Sequence, residues 1–269
     1  MSDPLPIETW RRRNFEPGGA PNVFQLFCFA KAPLADVPLS ALRFGLPTNG
    51  PHGGDLSKLG IDVRDVPRGA DPAWFDGFRS GALRTLAERA LGPQLKLLDE
   101  ADTLHAVLVR RDDAQDLAHL QAAWALAKWL VERGVTVVLD AQCNRFWKAS
   151  ELADWPVRRP LTLSGEVNVI VEADPGATVG IVHTRGLQKF GRPDLVALDV
   201  EQARWDGVAG LLHLLAAQLA DGKTLRAGEA LTIATGKDGV VEQVQLADFG
   251  PDVLHLNNAA LRVSAVQGA

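Results

Sequence analysis

Along residues 22–30, NVFQLFCFA, apolar side chains fall on both alternating faces. Val23, Gln25, Phe27 and Phe29 share one face, and Phe24, Leu26 and Cys28 share the other. This predicts a strand buried on both sides. A three-four spacing follows later: Phe75, Phe78, Ala82, Leu86 and Ala90 form one stripe. It predicts a single helix capped by Asp71, with Pro72 in its first turn and Gly92-Pro93 as its stop. LHAVLVRR (104–111) and VTVVLD (135–140) read as strands. Between them Leu117, Leu120, Trp124, Ala127 and Val131 predict a helix over 115–133, capped by Asp112 or Asp113 and ended by Gly134. Short connections make the unit fit a parallel crossover. A second stripe on this helix, Ala118, Ala122, Ala125 and Trp129, lies about 100–140° from the first. A helix apolar on two sides is sandwiched between layers, or pairs with a partner chain.

The pattern changes near Pro156–Gly165. VNVIVE (167–172) and TVGIVHTR (178–185), joined by ADPGA, predict an antiparallel hairpin, and LVALDV (195–200) a third strand. A helix follows over about 202–221, with Val208, Leu211, Leu212, Leu215 and Leu219 inward and Gly222 as its stop. EALTIAT and VVEQVQL flank Lys237-Asp238-Gly239, a second hairpin. LRVSAV in the tail is apolar enough to dock. The order of elements predicts an α+β protein with a mixed, largely antiparallel sheet or sheets and helices packed mainly on one side. The expected organisation is an N-terminal arm at 1–21, an α+β half at 22–160 and a second at 161–269, as two domains or one continuous one.

Composition narrows the classes. The chain has 269 residues, 46% apolar and 23% charged, so it has material for a core and is not a disordered tail. A net charge of -5 lacks the basic footprint of a nucleic-acid binder. Cys28 and Cys143 make neither a disulfide framework nor a zinc cluster and read as reduced thiols. RRRNF at 11–15 imitates a twin-arginine signal, but Glu16-Pro17-Gly18-Gly19 follows in place of an apolar stretch. No run reaches the ~18 apolar residues of a membrane span. These features predict a soluble, cytoplasmic protein without membrane or nucleic-acid partners.

Candidate chemistry concentrates in HTRGLQKFGRPDL (183–195). Gly186 ends a strand, Gly191 permits a positive-φ turn, Pro193 holds Arg192 extended and Phe190 anchors the loop. On this reading the backbone breaks shape a corner, and its charged neighbours are bystanders that face solvent or structural partners. The alternative makes His183, Arg185, Lys189 and Arg192 a cationic patch for a carboxylate, a phosphate or an acidic segment, with Asp194 orienting an arginine. His183 would then be a candidate general base.

Other candidates are weaker. PTNGPHGGDL (47–56) lacks the ending of a P-loop, and His52 with Asp55 supplies too few metal ligands. VLDAQCNRFW (138–147) places Asp140 at a strand end, with Cys143 three residues on. A nucleophilic Cys143 would need His183 or His105 as its base; a turn aspartate and a buried thiol explain the same residues. His105, His119, His213 and His255 show no ligand spacing. Neither a cofactor nor a metal is expected.

HTRGLQKFGRPDL resembles the signature of a family of uncharacterised bacterial proteins, matched by Thr184, Gly186, Leu187, Phe190, Gly191, Pro193, Asp194 and Leu195. Upstream, AAWALAKWLVERGVTVVLDAQCNRFW is similar to the family's helix and strand leading to Asp140, Phe146 and Trp147. Downstream, LLHLLAAQLADGKTLRAGEALTI is similar to its closing helix and strand. The resemblance spans about 100–235. It implies no settled activity and leans toward binding, since related bacterial domains occur among immunity and accessory proteins. Two expectations follow. One is a non-catalytic binding or accessory protein, whose partner is another protein or a second copy through helix 115–133. The other is a hydrolase or transferase for an anionic small molecule, using His183, Arg185 and Arg192 with Asp140.

Overall fold

The computed structural model describes residues 10–34, 56–154, 160–235, 240–249 and 259–265. The 47–55 stretch with His52 and Asp55, the Lys237-Asp238-Gly239 turn and His255 lie outside the described residues. The chain forms two compact units. One comprises Met1–Arg11 and Asn22–Leu161, the other Arg12–Pro21 and Thr162–Ala269. Residues 12–21 of the predicted arm thus belong with the C-terminal half. The architecture is α+β, with two mostly antiparallel sheets.

The first unit contains β1 (Asn22–Ala30), β2 (Ile61–Pro67), β3 (Thr103–Arg111), β4 (Val135–Asp140) and β5 (Arg145–Lys148), ordered β2-β3-β1-β4-β5. Every neighbouring pair is antiparallel. The doubly apolar strand is β1, at the centre. Its helices are α1 (Pro72–Gly77), α2 (Gly81–Leu91), α3 (Leu95–Asp99), α4 (Ala118–Val131) and α5 (Ala149–Ala153). Phe29 stacks edge-on against Phe75 of α1, while Phe24, on the other face of β1, meets Trp124 of α4. Helices therefore cover both faces of this sheet.

Three expectations change in this unit. The predicted single helix over 72–91 is two. Asp71 caps it by accepting from the Trp74 N–H, as expected. The chain then breaks at Ser80, which is extended, and Gly81, at φ +57°. Two glycines and a serine within five residues favour turn over helix. Phe75 and Phe78 are buried as predicted, but α2 buries Ala87 and Leu91 and exposes Ala82. The second change concerns α4, which begins at Ala118. Its cap is neither Asp112 nor Asp113: Asp116 accepts the Ala118 N–H at 3.2 Å. Thirdly, β3 and β4 run parallel to each other, but β1 lies between them, so the α4 crossover is a split one. Ten of the fourteen residues of α4 are buried, Ala122 and Ala125 of the second stripe among them. That stripe offers little free face for a second copy.

The second unit contains α6 (Leu163–Glu166), β6 (Asn168–Glu172), β7 (Val179–Arg185), β8 (Asp194–Glu201), α7 (Trp205–Ala220), β9 (Ala230–Thr235), β10 (Val240–Phe249) and β11 (Ala260–Ala265). Its sheet order is β6-β7-β8-β11-β10-β9, with only β8 and β11 parallel. The two predicted hairpins are β6–β7 and β9–β10. Most of LRVSAV lies in β11, which docks between β8 and β10. Leu211, Leu212, Leu215 and Leu219 of α7 are buried, each contributing about 1.5–3 kcal/mol. Gly222 ends the helix at φ +111°. A Cβ there would stand 2.6 Å from the Phe15 Cα, so glycine is required for space as well as for conformation.

Candidate functional site

The corner at 183–195 links β7 to β8 through one helical turn over Leu187–Phe190. Gly186 enters it at φ +116° and Gly191 leaves it at φ +61°, as turn chemistry predicts. Leu187 and Phe190 are wholly buried beneath it. Thr184 and Asp194 lock its two ends. The Thr184 hydroxyl donates to Asp194 Oδ1 at 2.9 Å and accepts the Leu195 N–H at 2.8 Å. The same Asp194 oxygen accepts the Leu187 N–H at 3.3 Å. The spacing of Thr184 and Asp194 suits this geometry. A threonine ending one strand and an aspartate starting the next satisfy each other across the turn.

The charged residues are the larger surprise. His183, Arg185, Lys189, Arg192 and Asp194 are all buried, none more than 7% exposed. They are not bystanders on the surface. The Arg192 guanidinium donates to four main-chain carbonyls: Lys223 at 2.9 Å, Gly191 at 3.1 Å, Glu16 at 2.9 Å and Gly222 at 2.8 Å. Arg12 stands beside it, fully buried, and donates to the carbonyls of Ala220 (3.3 Å) and Phe190 (2.5 Å). Two guanidinium groups thus tie three segments together: residues 12–16, the corner, and the C-terminal end of α7. Carbonyls at a helix C-terminus lack intrahelical partners and carry its negative pole, so cations satisfy them twice over.

The same N-terminal segment is laced further to the end of α7. Asp221 accepts the Arg13 N–H at 2.8 Å. Glu16 accepts both the hydroxyl and the N–H of Thr224, at 2.7 and 2.9 Å, and these bonds hold its carboxyl below the ordinary glutamate value.

Lys189 leaves the corner in another direction. Its ammonium meets Glu166 at 3.1 Å, with neither side chain exposed. His183 turns Nδ1 to the Thr184 carbonyl at 3.2 Å, and its Nε2 stands 3.1 Å from a Glu172 oxygen, off the line of a hydrogen bond. Pro193 is half-buried at the exit of the turn. Lys189 thus meets the Glu166 carboxylate, Arg192 main-chain carbonyls, Asp194 the Thr184 hydroxyl and the Leu187 N–H, and His183 the Thr184 carbonyl. Arg12, Glu16 and Glu166 are essential members that sequence reading does not single out. Arg12 lies inside the segment read as a false export signal, and its partner carbonyl at Phe190 is 178 residues away.

Asp140 belongs to the first unit, His183 to the second. Asp140 is buried, and its Oδ1 accepts the N–H groups of Gln142 (3.1 Å) and Cys143 (3.2 Å), as a turn aspartate does. Cys143 is buried there. The imidazole that faces a thiol across the sheet is His105. It pairs with Cys28 on one side and Asp65 on the other, its Nδ1 being 2.5 Å from Asp65 Oδ1. This row has the residue types of a thiol nucleophile with its base, but His105 and Cys28 are both wholly buried. Burial pushes the Cys28 thiol far above its ordinary range, which keeps it neutral and inert.

Among the described residues no group of three or more His, Cys, Asp or Glu is placed to hold a metal ion. No described helix is long and apolar enough to cross a membrane. No family model, curated protein or solved structure matches the chain.

Proposed function

We propose that this chain is a non-catalytic binding or accessory protein, of the immunity-like kind, whose partner is another macromolecule. The observation that carries the reading is the use of the Arg192 guanidinium. The group best suited to grip an anion is spent on four carbonyls of its own chain. A hydrolase or transferase for anionic substrates needs cations whose donors turn toward a ligand. Here Arg192 and Lys189 stabilise the corner.

Thermal melts with a panel of anions test this: inorganic phosphate, sugar phosphates, nucleotides and dicarboxylates. A ligand at ~100 times its Kd adds about 2.7 kcal/mol to stability. No member of the panel is expected to raise the melting temperature. A saturable rise for one of them, together with its turnover, would overturn the binding reading in favour of the enzyme. In parallel, the immobilised chain is expected to retain a defined protein from a native lysate; recovery of nothing above background counts against the reading.

A further inference from the structure

The two sheets protect their outer strands differently. β2 carries Asp62, Arg64 and Asp65 and ends in Pro67, and β5 is only four residues long, with Arg145 and Lys148 at its ends. Charge, proline and shortness are the devices that discourage strand addition at an edge. β6, five residues long, has no proline and a single charge. Its sequence is NVIVE, three β-branched residues between an amide and one carboxylate, and Val171 is 40% exposed. Among the described residues β6 pairs only with β7. Alternate residues of an antiparallel strand turn their N–H and C=O groups away from the neighbour, so along residues 169–171 the outer edge of β6 presents ladder groups suited to another strand.

We propose that β6 is a self-association edge, at which a second copy of this chain adds its own β6 antiparallel about a two-fold axis through Ile170. The occupant follows from the sequence of the strand itself. Val169-Ile170-Val171 reads the same in both directions. Antiparallel pairing centred on Ile170 therefore sets Val169 opposite the second copy's Val171, and Ile170 opposite Ile170. β-branched pairs directly across a ladder stabilise it. The same register sets Glu172 opposite Asn168, so no like charges meet. Glu172 is drawn inward as well, 3.1 Å from His183 of its own chain. A two-fold interface requires this kind of self-complementary patch.

The pairing joins two six-stranded sheets edge to edge. It differs in place from the stripe on α4, where Ala122 and Ala125 are already buried, and it stands independently of the binding reading. Two five-residue strands bury less than the ~1,200 Å² of a standard stable interface, so the dimer is weak and concentration-dependent.

Sedimentation equilibrium of the full chain from micromolar to millimolar concentration is the first test. The expected mass rises from the 28.9 kDa of one chain toward twice that value. Val171→Lys adds an edge charge at an exposed position and is expected to weaken the dimer at least ~10-fold without moving the melting temperature. Ile170→Cys gives a readout specific to the register. Residues opposite each other in an antiparallel pair have Cα atoms about 4.5–5.5 Å apart, within the roughly 4.4–6.8 Å span of a disulfide. Mild oxidation is expected to link Ile170→Cys chains, while the exposed Val179→Cys control stays monomeric; the native cysteines are buried and do not compete. The proposal is overturned by a monomer at every concentration, by a dimer that Val171→Lys leaves intact, or by equal linkage of both cysteine variants. If Val171→Lys does not fold, the cysteine pair decides alone.

Discussion

Arg192 in the second unit and Arg84 in the first carry the same guanidinium in opposite settings. Arg192 is 2% exposed and donates to four main-chain carbonyls. Arg84 bridges Glu88, at 2.9 Å, and Asp99, both carboxylates close to half exposed. Nearby, Arg68 and Arg79 share Asp76 in the same way. Water competes for Glu88, Asp99 and Asp76, all close to half exposed, and each of these pairs adds little. At the corner of the second unit the side chains are buried, so a donor removed leaves an acceptor unsatisfied. Cations on α2 decorate a helix, whereas cations at the corner hold a fold together.

The largest effect is expected at the buried ion pair. Lys189→Met alone should cost about 3–5 kcal/mol in urea unfolding, because Glu166 loses its buried ammonium partner. The double variant Lys189→Met, Glu166→Leu should recover most of that loss; a single variant as stable as the wild type would erase the contrast between the units. Arg192→Lys comes next. One ammonium cannot serve four carbonyls in a fixed fork, and a loss of about 2–3 kcal/mol is expected in the same measurement. Thr184→Val keeps the shape but leaves Asp194 Oδ1 and the Leu195 N–H each short of a partner, for about 1–3 kcal/mol. Arg84→Ala should cost less than about 1 kcal/mol and lose even that in high salt.

The smallest and most specific effect is a pH dependence. Burial pushes the Asp116 carboxyl up, but two bonds from Arg111 and one from the Ala118 N–H outweigh it, and its value is lowered. A carboxyl depressed on folding stabilises the protein above its unfolded value, and that contribution disappears as pH falls through the folded one. Asp116→Asn should therefore flatten the stability profile only in the acid range, below the ordinary aspartate value of 3.8. A profile that changes near neutrality would show that another group is responsible.

Most strands and both long helices were legible from periodicity, because the face of an element is set within a few residues. Where the reading failed, a local preference competed with the stripe. The apolar spacing continues from Phe75 to Ala90, yet Ser80 and Gly81 break the helix. The corner divides in the same way. Gly186 was readable as a strand end and Gly191 as a positive-φ position, but the bond between Thr184 and Asp194 was not. Nor was the burial of Arg192 and Lys189, because a charged residue in a loop normally faces water. Nothing near Lys189 in sequence announces Glu166, and nothing near Arg192 announces Glu16.

Short-range chemistry alone specified the α+β alternation, the β6–β7 hairpin, the glycine turns and the stop of α7 at Gly222, since each depends on neighbours along the chain. Strand order, the insertion of β11 between β8 and β10, and the partners of the buried cations arise only when distant segments meet. Arg12 reaches Phe190 and Ala220 because α7 ends beside it. The physical reason is that a side chain's backbone preference is its own, whereas the cost of its charge belongs to whatever surrounds it.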